Sequence, residues 1–101
     1  MSSYIIEKKG DTLFVKFGDP AQNDQIVRDA VNRLKEMIVS GELSGGPIIK
    51  VNGPASLPVA MAICHAIAHL YQVVACYDPK LGKYVVAVTH SSNSSLGELV
   101  D

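Results

Sequence analysis

The chain has 101 residues and a formal net charge of −1, with 48% hydrophobic and 19% charged residues. That predicts one small globular domain over residues 1–101, neither disordered nor fibrous, and lacking the basic excess expected of a protein that grips DNA. Cys64 and Cys76 sit in no CxxC or zinc pattern and read as reduced core residues of a cytoplasmic protein, with Met1-Ser2-Ser3 leading straight into a strand pattern rather than a secretory leader.

Tyr4 to Glu7 and Thr12 to Phe17 predict a hairpin around Lys9-Gly10-Asp11, because Leu13, Val15 and Phe17 alternate as in a half-buried strand. Asp19-Pro20 then offers a helix cap and first position, with Gln22 where a capping box wants it. That helix is expected to run to about Ser40, with Val27, Val31, Leu34 and Ile38 on one stripe and Gly41 as its stop. Gly45-Gly46-Pro47 opens a strand, Ile48 to Val51. A second helix is predicted from about Leu57 to Tyr71, capped by Ser56. Gln72 to Tyr77 reads as a strand, Asp78-Pro79-Lys80-Leu81-Gly82 as a turn, and Lys83 to Thr89 as the last strand. His90 to Asp101 reads as a Ser-rich tail of weak structure.

The order ββαβαββ contains two helical crossovers, which imply a parallel three-strand centre edged by antiparallel hairpin strands. The fold class is therefore α/β, a compact, degenerate Rossmann-like mixed sheet. Two helices are few for so apolar a chain, so a homo-oligomer is expected to bury the surplus.

The charges are uneven. Residues 1–50 carry 14 of the 19, and Val51 to Cys76 carries none. That run is long enough for a membrane span, but Asn52, Gly53, Pro54 and Pro58 break its start and His65, His69 and Gln72 interrupt the rest. No membrane association is expected.

Three groups of residues could carry chemistry. Asn52-Gly53-Pro54-Ala55-Ser56 joins a parallel strand to a helix N-terminus, the edge of an open α/β sheet where anions bind, and Gly53 would let a phosphate come close to the backbone. Without a GxGxxG or GK[ST] pattern, an ordinary strand-to-helix turn explains the segment equally. Asp78 could ligate a metal or act as a base and Lys80 could meet a phosphate, or Asp78 could simply accept its own turn's N–H. His65 and His69, four apart, share a helical face; a zinc pair and two structural histidines are both open. His90 closes the final strand as a cap or a site residue.

Element lengths sort these groups. The second helix leaves the Asn52–Ser56 edge for ~20 Å before His69, the next strand returns ~15–20 Å to Asp78, and the last carries His90 back. Asn52, Ser56, Asp78 and Lys80 should gather at one edge, and His69 and His90 near the other. Ligand distances of about 2–2.5 Å cannot bridge them, so any joint chemistry must be shared between subunits.

Asn52-Gly53-Pro54, the helix ending in His69, Tyr77-Asp78-Pro79-Lys80-Leu81-Gly82 and Thr89-His90-Ser91 together resemble the Csx-three family of type III CRISPR-associated ring nucleases. The likeness covers nearly the whole chain, and Phe17 to Ala30 is similar to the cyanobacterial branch, in which this unit can precede an ATPase-like domain. The Tyr-Asp-Pro-basic-Leu-Gly segment, eight residues beyond a histidine, is the most specific motif.

The resemblance implies Mn²⁺-dependent cleavage of cyclic tetra-adenylate, the second messenger of type III CRISPR systems, which switches their ancillary effectors off. It places the catalytic histidine on His69, the metal-associated aspartate on Asp78, a further catalytic histidine on His90 and a basic partner on Lys80. Asp78 and His69 would serve the metal, and Asn52, Gly53, Pro54, Ala55, Ser56 and Lys80 the substrate. A lysine at position 80 keeps the charge of an arginine but loses its bidentate fork. The implied assembly is a homodimer or tetramer whose facing subunits complete the site. A non-catalytic sensor of the same messenger, acting on an attached or partner domain, is the alternative.

Overall fold

The computed structural model describes residues 2–101; Met1 lies outside them. Six strands and two helices follow in the order β1 (Tyr4–Lys9), β2 (Thr12–Phe17), α1 (Asn23–Ser40), β3 (Gly46–Asn52), α2 (Leu57–Ala68), β4 (Tyr71–Asp78), β5 (Lys83–Thr89) and β6 (Leu99–Val100). The strands make one sheet in chain order, with β2, β3 and β4 parallel and β1, β5 and β6 antiparallel to their neighbours. The expected parallel centre with antiparallel edges is present.

The Rossmann-like part of the expectation is not. A doubly wound sheet reverses its strand order and carries helices on both faces. Here the order never reverses, so two right-handed crossovers put both helices on one face. Ile26, Ala30, Leu34 and Met37 of α1 and Val59, Ile63 and Ile67 of α2 share one core with Leu13, Val15, Ile49 and Val74 of the sheet. The molecule is a two-layer α/β fold without the crevice that a reversal creates. On the sheet's other face Val73, Ala75 and Val86 form a smaller cluster, with Ile48, Tyr84 and Val100 packed against it.

Strands β1, β3 and β4 each extend a residue or two beyond the sequence reading at one end or both, and larger differences lie at the start of α1, the end of α2 and the tail. Asp19 does not cap α1, because its N–H donates to the Ser2 carbonyl (3.0 Å) and Gly18 N–H to Ser3 (2.9 Å), prolonging the hairpin's pairing. The helix opens only at Asn23, with Gln22 at the cap position and no side-chain cap bond. Its Asp29 carboxylate is the tie to the hairpin, accepting from Ser3 N–H (3.0 Å) and Ser3 Oγ (2.6 Å). Gly41 ends the helix as expected, at φ 87°.

Helix α2 stops at Ala68 rather than Tyr71, because Tyr71 is already paired in the sheet opposite Gly46. The Ser-rich tail is also more ordered than expected. Val86 exchanges backbone bonds with it, donating its N–H to the Glu98 carbonyl and accepting from Gly97 N–H, and Leu99 and Val100 pair with Val85 and Tyr84 as β6. The uncharged run Val51–Cys76 becomes a strand end, a loop, a 12-residue helix and most of β4. Among the described residues no helix is long and apolar enough to cross a membrane.

Candidate functional site

The loop after β3 is held by groups far away in sequence. Gly53 has φ 137°, and a Cβ there would lie 1.9 Å from the Val15 carbonyl oxygen. The glycine is needed because β2 runs against it and any side chain there would collide with the Val15 backbone. The next residue is tied as well: Tyr4 Oη donates to the Pro54 carbonyl at 2.6 Å. Burial pushes the Tyr4 hydroxyl up to about 12, which keeps it a donor. Asn52 Nδ2 donates to Tyr84 Oη at 3.0 Å.

Ser56 occupies the cap position of α2, with ψ 163°, but its hydroxyl makes no cap bond. Its Oγ is buried without a partner, a state that costs about 1–3 kcal/mol. Ala55 lies beside it, exposed, and lines a cavity of ≈ 210 Å³ under α2 together with Gly53, Cys64, Cys76 and Tyr77. That shared cavity places the ends of β3 and β4 side by side. Desolvation, reinforced by Cys64 across the cavity, pushes the Cys76 thiol above its ordinary range.

At the end of β4, Asp78 Oδ1 accepts from the N–H of Lys80 (2.8 Å) and Leu81 (3.2 Å), and its carbonyl accepts from Gly82 N–H (2.8 Å). The carboxylate thus builds its own turn. Both side-chain bonds fall on Oδ1. Lys80 is exposed and makes no ion pair among the described residues.

The histidines lie at the opposite edge. His69 is the C-cap of α2, two residues before β4 begins, and its ring meets His65 edge-on at 4.8 Å. His90 N–H donates to the Gln72 carbonyl at 2.8 Å, which fixes it one residue into the start of β4. From Gln72, β4 runs six residue steps, about 20 Å, to Asp78. The structure therefore puts Asn52–Ser56, Asp78 and Lys80 at one edge of the sheet and His69, in contact with His65, and His90 at the other.

A family model for CRISPR-associated proteins, Cas_csx3, matches residues 19–101. The chain belongs to that family. No curated protein and no solved structure matches it. The match runs from the residues before α1 to the end of the chain, so both edge clusters of this Cas_csx3 member lie inside it and the β1–β2 hairpin lies outside. Yet the hairpin supplies Tyr4 and Val15, the two groups that shape the family segment's Gly53-Pro54 turn.

Sequence reasoning missed the aromatic and basic cluster around Asn52. Lys50 Nζ sits 5.6 Å from the centre of the Tyr84 ring and 3.2 Å from Asp11 Oδ2, and Tyr77 meets Tyr84 edge-on at 5.2 Å. Burial works to raise the Asp11 carboxyl, but hydrogen bonds from Lys50 and Thr12 outweigh it and hold Asp11 below its ordinary value. The alternation of β3 and β5 was the available signal, since it puts Lys50, Asn52 and Tyr84 on one face.

Proposed function

We propose that this CRISPR-associated protein is a ring nuclease that opens cyclic tetra-adenylate in the presence of Mn²⁺ and so ends the signal. Family membership supports the CRISPR setting. The observation that carries the chemistry is the separation of the two clusters: a carboxylate, a lysine and a loop at one edge, three imidazoles at the other, each too sparse to act alone.

One protomer by itself does not fit a manganese ion. Among the described residues no three His, Cys, Asp or Glu side chains come together to hold one. The donor types suit the ion, a carboxylate oxygen and imidazole nitrogens, but they meet only if different protomers supply them. Asp78 of one protomer and His69 of another would then hold it, and bound there it would polarise a phosphodiester oxygen. Around it, Lys80 offers a positive charge to the ring's phosphates and His69 or His90 moves a proton. Residues Asn52 to Ser56 contact the ring beside Asp78.

The test is product chromatography after incubation with cyclic tetra-adenylate and Mn²⁺. Linear adenylates are expected, and recovery of intact ring overturns the nuclease reading. His69→Ala and Asp78→Ala should each be inactive. Mixed in equal amounts, they should recover about one quarter of wild-type activity, the share of facing pairs that receive one intact copy of each residue. No recovery, or activity in either variant alone, removes the shared site.

A second reading, a sensor that holds the messenger uncut, is favoured by one observation: Asp78 already accepts two hydrogen bonds from its own turn. A sensor would raise its melting temperature with cyclic tetra-adenylate and return it unchanged.

A further inference from the structure

Asn52 closes β3, and the two ends of its side-chain amide have different fates. Nδ2 donates to Tyr84 Oη at 3.0 Å. Oδ1 meets no donor among the described residues and is not buried. Tyr84 is itself well held. It reaches over from β5, and its side chain packs against Val73, Ala75 and Val86. Lys50 Nζ stands 5.6 Å from the ring centre, where an ammonium is attracted to an aromatic face, and Asp11 anchors that ammonium at 3.2 Å. The amide is therefore oriented from behind. What it turns outward is an acceptor.

A carbonyl oxygen takes a hydrogen-bond donor and cannot bond a phosphate, which offers acceptors alone. The inference rests on the proposed function, whose ligand carries two kinds of donor, the exocyclic amine of adenine and the ribose hydroxyl. The neighbours of Asn52 decide between them. Phe14 is its register partner in β2, and Tyr77 follows Cys76, the partner of Val51, in β4. Alternation puts both on the face of the sheet away from the helices, and they are 42% and 39% exposed. Lys9 Nζ stands over Phe14, 5.8 Å from its ring centre, which leaves Tyr77 as the open ring. An exposed aromatic side chain beside an amide that reads an edge is how proteins hold an unstacked base.

We infer that Asn52 is a base-reading residue, whose Oδ1 accepts a hydrogen bond from the N6 amine of an adenine placed against Tyr77. Tyr84 is its positioning residue. Turned over, the amide would present Nδ2, a donor that suits the N7 acceptor of every purine and so reads nothing. Selectivity for adenine thus depends on the Tyr84 hydroxyl, which itself touches no ligand.

The test is calorimetric titration without metal, using cyclic tetra-adenylate and the same ring built from purine riboside, which lacks only the amine. Wild type should bind the adenine ring at least about tenfold more tightly. Asn52→Ala and Tyr84→Phe should each bind the two rings nearly equally, although Tyr84→Phe keeps the ring that packs on the sheet. In the double variant Asn52→Asp/Tyr84→Phe the preference should return, because a carboxylate accepts through both oxygens and has no wrong way round. A wild-type chain that binds both rings alike or neither, a Tyr84→Phe variant that keeps the preference, or a double variant that does not regain it overturns the inference. If the preferences are as stated but the adenine ring survives addition of Mn²⁺ uncut, base reading stands and the nuclease reading fails. If that ring is cut while both rings bind alike, the reverse holds.

Discussion

Tyr4 and Pro54, fifty residues apart, meet in a 2.6 Å hydrogen bond that fastens the first strand to the loop before α2. The bond is made by a buried hydroxyl whose pKa is raised to about 12. Tyr4→Phe leaves the ring in place and removes only the donor, so the cost should be about 1–3 kcal/mol and several degrees of melting temperature. The same hydroxyl makes a prediction about alkali. A raised pKa in the folded state means the contribution is complete below pH 10, the unfolded value, and is lost as pH rises through about 12. Wild-type stability should therefore fall over that window more steeply than that of Tyr4→Phe, as urea titrations at stepped pH would show.

Gly53 is the tightest point of the same loop. A methyl group there meets the Val15 carbonyl oxygen at 1.9 Å, with φ at 137°. The obstacle is backbone, which cannot swing aside. Gly53→Ala should cost on the order of 3 kcal/mol or more, combining the strained φ with the displacement of β2. Chemical denaturation decides it, and a variant within 1 kcal/mol of wild type would mean that β2 yields.

What the sequence made legible was whatever repeats locally. Thr12–Phe17 and Lys83–Thr89 are bounded as the alternation predicts, and Gly41 closes α1. Strand β6 escaped because Leu99-Val100 is too short to show a period and exists through pairing with Val85 and Tyr84. Asp19-Pro20 misled because the carbonyl of Ser2, from another element, takes the Asp19 N–H that a cap would have left open. Strand order is not written in the order of elements, so the absence of a reversal could only be seen in the sheet. The separation of His69 from Asp78 was legible because it follows from rise per residue. The role of Gly53 was not, since the carbonyl that demands it lies in β2.

The link between Asp29 and Ser3 gives the acid limb of stability. Hydrogen bonds from the Ser3 hydroxyl and N–H, with Gln25 adding to them, hold the Asp29 carboxyl below 3.8. A depressed folded pKa contributes above the unfolded value and is lost as pH falls through the folded one. Asp29→Asn should melt lower than wild type at pH 7, and the two curves should draw together as acid protonates the depressed Asp29 carboxyl. A gap that persists at pH 2 would assign the effect to shape rather than charge.

Asp78 has two tasks on the proposed reading, and one substitution separates them. Its Oδ1 accepts the N–H groups of Lys80 and Leu81, which an asparagine carbonyl can also do. Asp78→Asn should therefore keep its melting temperature within a degree or two of wild type, while Asp78→Ala loses about 1 kcal/mol with the turn. Both should fail to open cyclic tetra-adenylate, because an amide carries no charge for a cation and accepts no proton. If Asp78→Asn cleaves at the wild-type rate, Asp78 is a turn residue alone, and the chemistry at that edge falls to Lys80 and the backbone of the Asn52–Ser56 loop.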